Sequence, residues 1–339
     1  RGLGDNKSYA IAGFLSATLT IILNIVGILI FRGGIFAMLI ASITGSVVGG
    51  IYLFVKKKLW LLISLKQVSK SKVNTIIRYA IPLVPNELSW NIIHSSDRMV
   101  VSNLISVAAN GIVAVSAKFS VIYTTAFSFF NASWTEQVVL HYNDVGGKEY
   151  ISKMFDKMVT FFASLAIGII ACIPFVFNIL VDSNYRKAYE LVPIYLIAVF
   201  FNAIIGLISS IYLVNEETGR VALTTGIAAV INLVTNFLLI KAIGIYAAPL
   251  SSVAGYLVVS IWRLVDVNKR HCYISMNKSR VILLLVLTTI TLVGYYADML
   301  MLQLIIFLIV VCVSLLLNRE ILTEIIDMLN FRKNKKIKE

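Results

Sequence analysis

Apolar runs about as long as a bilayer is thick alternate with short polar breaks along almost the whole chain. Roughly 20 consecutive apolar residues cross a hydrocarbon core, and only helices or closed barrels do so with every backbone group satisfied internally. The runs here are too long and continuous for barrel strands, so the pattern predicts helices. The expected spans are 9–31, 34–55, 75–104, 108–138, 158–181, 190–214, 221–243, 245–265, 281–297 and 299–317. The third and fourth exceed what a bilayer needs and are expected to tilt or project past it. The expected fold class is all-α integral membrane, with about ten transmembrane helices and no soluble domain.

Composition agrees with this pattern. The chain is 59% hydrophobic and 14% charged, with a mean hydropathy of +0.88, where a soluble domain carries about 25% charge. The net charge of +13 would suit nucleic acid, but the cations sit in short loops between apolar runs, so no nucleic-acid partner is expected. Alternate loops divide by charge. One set carries Lys56, Lys57, Lys58, Lys148, Arg220, Arg270 and Arg280, and the tail adds Arg332, Lys333, Lys335 and Lys336. The other set carries only Arg32, Arg186 and Lys187, with Lys241 near the boundary. The rich side is read as cytoplasmic, with both chain ends on it. The tail is read either as an anionic-lipid contact or as a solvated charge run.

Little points to covalent chemistry. Cys172, Cys272 and Cys312 lie far apart, and the three histidines form no ligand cluster. No nucleophile elbow, P-loop or dinucleotide fingerprint is present. The reading is of a non-enzyme with no metal and no cofactor.

An internal repeat organises the chain. The segment GIFAMLIASITGSVVGGIYLFV from Gly34 aligns without gaps, at an offset of 210 residues, with GIYAAPLSSVAGYLVVSIWRLV from Gly244. Gly34 matches Gly244, Ser42 matches Ser252 and Gly45 matches Gly255, and Asn24 and Asn236 fall together after a two-residue shift. The matched helices are six apart, so both copies are expected to run the same way, as two six-helix lobes in a parallel repeat. The offset puts the expected start of the first lobe roughly 135 residues before Arg1, so this chain is expected to hold helices five onward of about fourteen. The expected division is 1–56 for the last two helices of the first lobe, 57–74 for a cytoplasmic linker and 75–266 for the second lobe. Residues 267–318 follow as two extra helices, and 319–339 as a basic tail. Within the linker, Leu59, Trp60, Leu62 and Ile63 among lysines read as an amphipathic interfacial helix or a solvated connection.

Ionisable residues inside a span are costly and therefore informative. The third span holds most of them. Pro82 and Pro85 should kink or break it. Beyond them Glu87, Asn91, His94 and Arg98 fall within about 40° of one direction at 100° per residue. That polar stripe must face a water-filled cavity or another helix. Counted from Asn74, Glu87 lies near the midplane and Arg98 toward the outer side, with Lys118 of the next span about 16 Å below its outer end. These residues and Asp97 are the candidate transport cavity. The bland alternative is a pair of buried ion pairs, Asp97–Arg98 and Glu87–Lys118. Trp134 reads as an interfacial belt residue, and Asn232 and Asn236, one turn apart, as interhelical hydrogen-bonding groups.

The stretch RYAIPLVPNELSWNIIHSSDRMVVSNLISVAANGIVAVSAKF, residues 78–119, resembles the opening of the second lobe in bacterial polysaccharide-unit flippases, the O-antigen or capsule repeat-unit transporters. They belong to the superfamily that includes multidrug and toxin extruders. RGLGDNKSYAIAG at the start resembles that family's fourth-to-fifth helix loop, and FSFFNASWTEQ, residues 127–137, resembles the end of its eighth helix. The resemblance implies two lobes forming a V around a cavity in the bacterial cytoplasmic membrane. The implied activity is transfer of an undecaprenyl-pyrophosphate-linked oligosaccharide between leaflets, for O-antigen, lipopolysaccharide or capsule assembly, by alternating access. The implied partners are that lipid-linked substrate, membrane lipids, a coupling H+ or Na+ and the polysaccharide polymerase machinery. Arg98 and Lys118 match the family's cationic cavity positions. The alternatives are an ion-coupled multidrug/cation antiporter of the same fold, a membrane glycan polymerase or ligase, and a structural scaffold. The short outer loops argue against the second of these, and the aligned polar stripe against the last.

Overall fold

The computed structural model describes residues 5–61, 69–272, 274–297, 299–321 and 323. Eleven helices are described: α1 Asn6–Leu29, α2 Gly34–Lys56, α3 Lys70–Ala80, α4 Leu83–Leu104, α5 Val107–His141, α6 Gly147–Leu180, α7 Ala188–Val214, α8 Thr218–Ile243, α9 Ala247–Arg270, α10 Lys278–Tyr296 and α11 Leu300–Leu317. All regular structure among the described residues is helical, and the chain has an all-α integral membrane fold. The segments long and apolar enough to cross a membrane take in every long helix except α4, with α8 and α9 forming one continuous run. Helix α4 falls short on apolarity because of its own polar residues. In the expected linker, Leu59–Leu61 form one 3-10 turn, while Leu62 and Ile63 lie outside the described residues, as does the tail from 324.

The third expected span is two helices. Pro82 has no N–H to give to the carbonyl of Arg78, and Pro85 has none for Ile81. Ile81 still donates to Ile77 at 2.8 Å, so α3 ends there and α4 restarts at Leu83. Depth is therefore counted along α4. Glu87 stands about 6 Å from its start and Arg98 about 22 Å along it, rather than on one straight rod from Asn74.

The chain divides into two compact units, Arg1–Ile76 and Ile77–Glu339. In the first, α1 and α2 form an antiparallel pair. Asp5 caps α1 by accepting from the Ser8 amide at 2.9 Å and pairs with Lys57. In the second, α4 packs on α8, α7 and α8 pack on α9, α5 packs on α7, and α10 and α11 pack on α6.

Both glycine matches of the repeat have a shared physical reason. Gly34 and Gly244 each take a positive φ, +52° and +60°, a turn conformation that a Cβ disfavours. Gly45 lies against Ser16 and Thr20 of α1, and Gly255 against Ala228 and Asn232 of α8. At each, an added Cβ meets the carbonyl of the first-named residue within 3 Å. With the two-residue shift, Ser16 corresponds to Ala228 and Thr20 to Asn232. The α1–α2 and α8–α9 pairs thus pack through equivalent positions within their own units.

The core of the second unit is aromatic around Phe162, which meets Tyr123, Phe127 and Phe130 at 5.9, 5.1 and 5.4 Å between ring centroids. Trp134 corrects the belt expectation. It is buried, and its indole N–H donates to the Leu207 carbonyl at 2.9 Å, so the ring is satisfied by α7. Helix α10 is tied down at both ends: Arg280 pairs with Asp156 of α6 at 3.0 Å, and the ring of Tyr295 stacks on that of Tyr189 of α7 at 4.2 Å. The Lys- and Arg-bearing loops of this unit meet at one end, where Lys148 donates to the His271 carbonyl and His271 contacts Glu217, both at 3.0 Å.

Candidate functional site

Helix α4 presents two polar faces, because its polar residues fill more than one 3.6-residue stripe. The first is the stripe Glu87, Asn91, His94 and Arg98. All four are exposed on the second unit. Asn91 turns its amide back to the Glu87 carbonyl at 2.9 Å, and His94 stacks on Trp90 at 6.3 Å. Lys118 is exposed on the neighbouring α5. Neither expected ion pair forms: among the described residues Glu87, Arg98 and Lys118 have no ion-pair partner.

The second face carries Asp97, which points away from Arg98's side of the helix and into the packed bundle, 6% exposed. Its carboxylate accepts from the amide of Asn236 at 2.9 Å and from the hydroxyl of Ser252 at 3.0 Å. Longer contacts at 3.4 Å come from Asn232 and Ser251. Ser96 closes the network by donating to Asn232 Oδ1 at 3.0 Å. The Oδ1 of Asn236 is buried with no hydrogen-bond partner among the described residues. A charge in this setting requires several donors to be tolerated, and here α8 and α9 supply them. Two amide N–H groups and two hydroxyls thus converge on one carboxylate, an arrangement that stabilises its buried charge.

A cavity of about 530 Å³ joins the two faces. His94, Asp97 and Arg98 line it from α4, Ser120 and Thr124 from α5, Tyr195 from α7, and Ser252 and Tyr256 from α9. The Ser120 hydroxyl is buried without a partner among the described residues. Glu87, Asn91 and Lys118 do not line this cavity. Lys118 stands beside Ala117 and Val121, which do. The structure therefore groups His94, Asp97 and Arg98, and leaves Glu87 and Asn91 on the same exposed stripe outside the cavity.

Asp97→Ala is expected to destabilise the second unit by about 2–3 kcal/mol. It leaves the Asn236 amide and the Ser252 hydroxyl facing a void, and buried donors without acceptors cost about that much. Thermal unfolding of the purified chain in detergent checks this. An unchanged midpoint contradicts the network's role.

A second buried polar centre was not anticipated from sequence. Arg263 of α9 is fully buried. All five of its N–H groups are satisfied, by Thr224 Oγ1 at 2.8 Å, the Ile205 carbonyl at 3.2 Å, Ser209 Oγ at 2.5 Å, the Val221 carbonyl at 3.0 Å and Thr225 Oγ1 at 2.9 Å. No carboxylate pairs with it among the described residues. Its guanidinium lies 5.9 Å from the Tyr212 ring. It is a tie between α7, α8 and α9, with no donor left over for a ligand.

No family model matches the sequence, and no curated protein does. Solved structures do match in fold. The lipid II flippase MurJ in an inward closed conformation superposes with a TM-score of 0.62 at 15% identity, over 94% of this chain and 68% of that one. A crystal structure of a MATE mutant gives 0.61 at 17% identity, over 79% and 64%. An outward-facing multidrug resistance transporter of the MATE family, of the MOP superfamily, gives 0.59 at 14% identity, over 76% and 62%. The chain spans 62% to 68% of the length of these structures. At such identities the likeness is one of fold.

Proposed function

We propose that this chain serves a flippase that moves undecaprenyl-pyrophosphate-linked oligosaccharide units across the bacterial cytoplasmic membrane, for O-antigen, lipopolysaccharide or capsule assembly. The observation that carries the reading is the pair of exposed cations, Arg98 and Lys118, on adjacent helices with no ion pair among the described residues to neutralise them. A cation held in a span without a counter-ion is stabilised when an anionic ligand supplies one, and a pyrophosphate offers oxygens to both an arginine fork and a lysine. Such a head group cannot cross hydrocarbon unaided. A cavity beside α4 and α5 shelters it while the polyprenyl tail stays among lipids. The fold shared with a lipid II flippase supports the same reading. Alternating access by rocking of two lobes is the proposed mechanism, with the Lys- and Arg-rich end and the C-terminus cytoplasmic. Energy comes from an ion gradient or from consumption of the product by polymerase machinery.

A second reading, an ion-coupled multidrug/cation antiporter, is favoured by Asp97. Asp97 is a carboxylate that lines the cavity with no cationic partner among the described residues, and a cationic substrate or a proton would supply one.

The two readings separate in one strain. The complete gene in a bacterium lacking its unit flippase should restore surface polysaccharide and leave sensitivity to cationic drugs unchanged. Drug resistance without polysaccharide establishes the antiporter instead.

A further inference from the structure

The opposite end of the second unit holds a cavity that transport at α4 and α5 does not use. It measures about 400 Å³ and lies where α6 and α10 end and α7 and α11 begin. Three tyrosines frame it, and each hydroxyl is already committed. Tyr189 donates to the Tyr295 carbonyl at 2.9 Å, Tyr295 to the Tyr189 carbonyl at 2.6 Å, and Tyr296 to the Glu190 carbonyl at 3.0 Å. The rings are therefore fixed: Tyr189 and Tyr295 stack at 4.2 Å, and Tyr296 meets Tyr295 edge-on at 5.1 Å. Tyr296 remains exposed.

The polar walls are open by contrast. Arg186 and Asn178 are exposed, line the cavity, and make no side-chain hydrogen bond or ion pair among the described residues. Glu190 stands four residues from Arg186 yet does not pair with it. Its Oε2 accepts from Tyr246, which leaves Oε1 available. Gln303 donates to the Ala297 carbonyl at 2.8 Å, which leaves its amide oxygen. A guanidinium, a carboxylate and two amides thus surround one space without satisfying each other.

This set selects a ligand class. Planar groups of both polarities bind vicinal hydroxyls, which donate and accept at once. A fixed aromatic rim suits the C–H face of a pyranose ring. A phosphate dianion is disfavoured, because Glu190 would oppose it. An apolar molecule would strand four polar groups. The size is that of a small-molecule pocket.

We infer that this cavity is a saccharide-binding site, taking one or two sugar rings of a glycan at the end of the bundle away from the Lys- and Arg-rich loops. Placing that end on the outer side, where a translocated glycan emerges, rests on the flippase reading. The saccharide class rests on the cavity walls alone.

The test is saturation-transfer difference NMR on the purified chain in detergent. The probes are the methyl glycosides of glucose, galactose and N-acetylglucosamine, with phosphoethanolamine and inorganic phosphate beside them. At least one glycoside should bind saturably. Affinity should fall about tenfold in Asn178→Ala and in Arg186→Ala, one hydrogen-bonding group being removed in each. Both side chains are exposed, and thermal melts confirm folding. Arg98→Ala should bind the glycoside as the wild type does. The inference is overturned if no glycoside saturates, if both variants bind normally, if Arg98→Ala abolishes binding, or if phosphoethanolamine or phosphate binds in preference to every glycoside. None of these results depends on transport, so the flippase reading stands or falls separately.

Discussion

Arg263→Ala should lower the stability of the second unit by about 3 kcal/mol. Five hydrogen bonds from α9 to two helices, α7 and α8, disappear together, each worth about 0.6 kcal/mol by membrane-protein double-mutant cycles. A cavity the size of the side chain is left as well. The exact substitution matters more than the size of the loss. Arg263→Met keeps the volume and removes the charge, so it should recover much of the stability. Arg263→Lys keeps the charge but offers three donors without a planar fork, so it cannot reach Thr224, Ser209 and Val221 together. Lysine should therefore be no better than alanine, and wild-type stability in Arg263→Lys would contradict the account. Thermal unfolding in a single detergent ranks the four proteins.

The second large effect is on transport. Arg98 and Lys118 are exposed, so neither holds the bundle together, and their removal should leave the melting temperature within a few degrees of wild type. If they hold a pyrophosphate, each contributes a charge-assisted contact worth about 1.5–3 kcal/mol, or roughly 10- to 100-fold in affinity. Activity should fall while stability stays. Asp97→Ala should behave differently, because Asp97 ties α4 to α8 and α9 and loses fold as well as function. Separating these two phenotypes on adjacent residues of one helix is informative, because the sequence alone places Asp97 and Arg98 together.

The spans were legible because their signal is local: a run of apolar residues reports burial in lipid without reference to any partner. The break at Pro82 was also legible, since a missing N–H acts on its own helix. The repeat was legible at Gly34, Gly45, Gly244 and Gly255, where a turn or a close approach tolerates no Cβ. The network around Asp97 was legible only in part. The one-turn spacing of Asn232 and Asn236 marked them as hydrogen-bonding, but one sequence does not say which helix faces α8. Ser251 and Ser252 carried no signal beyond the repeat match at Ser252. The alternative pairing of Asp97 with Arg98 rests on sequence proximity alone, although consecutive residues on a helix point about 100° apart. Arg263 was missed because it stands near the end of its span, where an arginine ordinarily reaches for the interface. Trp134 was misread for a similar reason, its partner being a carbonyl of α7 that no pattern in α5 reveals.

The most direct measurement is complementation of a flippase-deficient bacterium by the complete gene, with Arg98→Ala and Lys118→Ala beside it, surface polysaccharide quantified and membrane levels matched. The account predicts restoration by the wild type, loss of about tenfold or more in each alanine variant, and partial activity in Arg98→Lys, which retains a point charge for phosphate. Wild-type levels of polysaccharide in both alanine variants would contradict it, and the exposed cations of α4 and α5 would then have no part in holding the substrate.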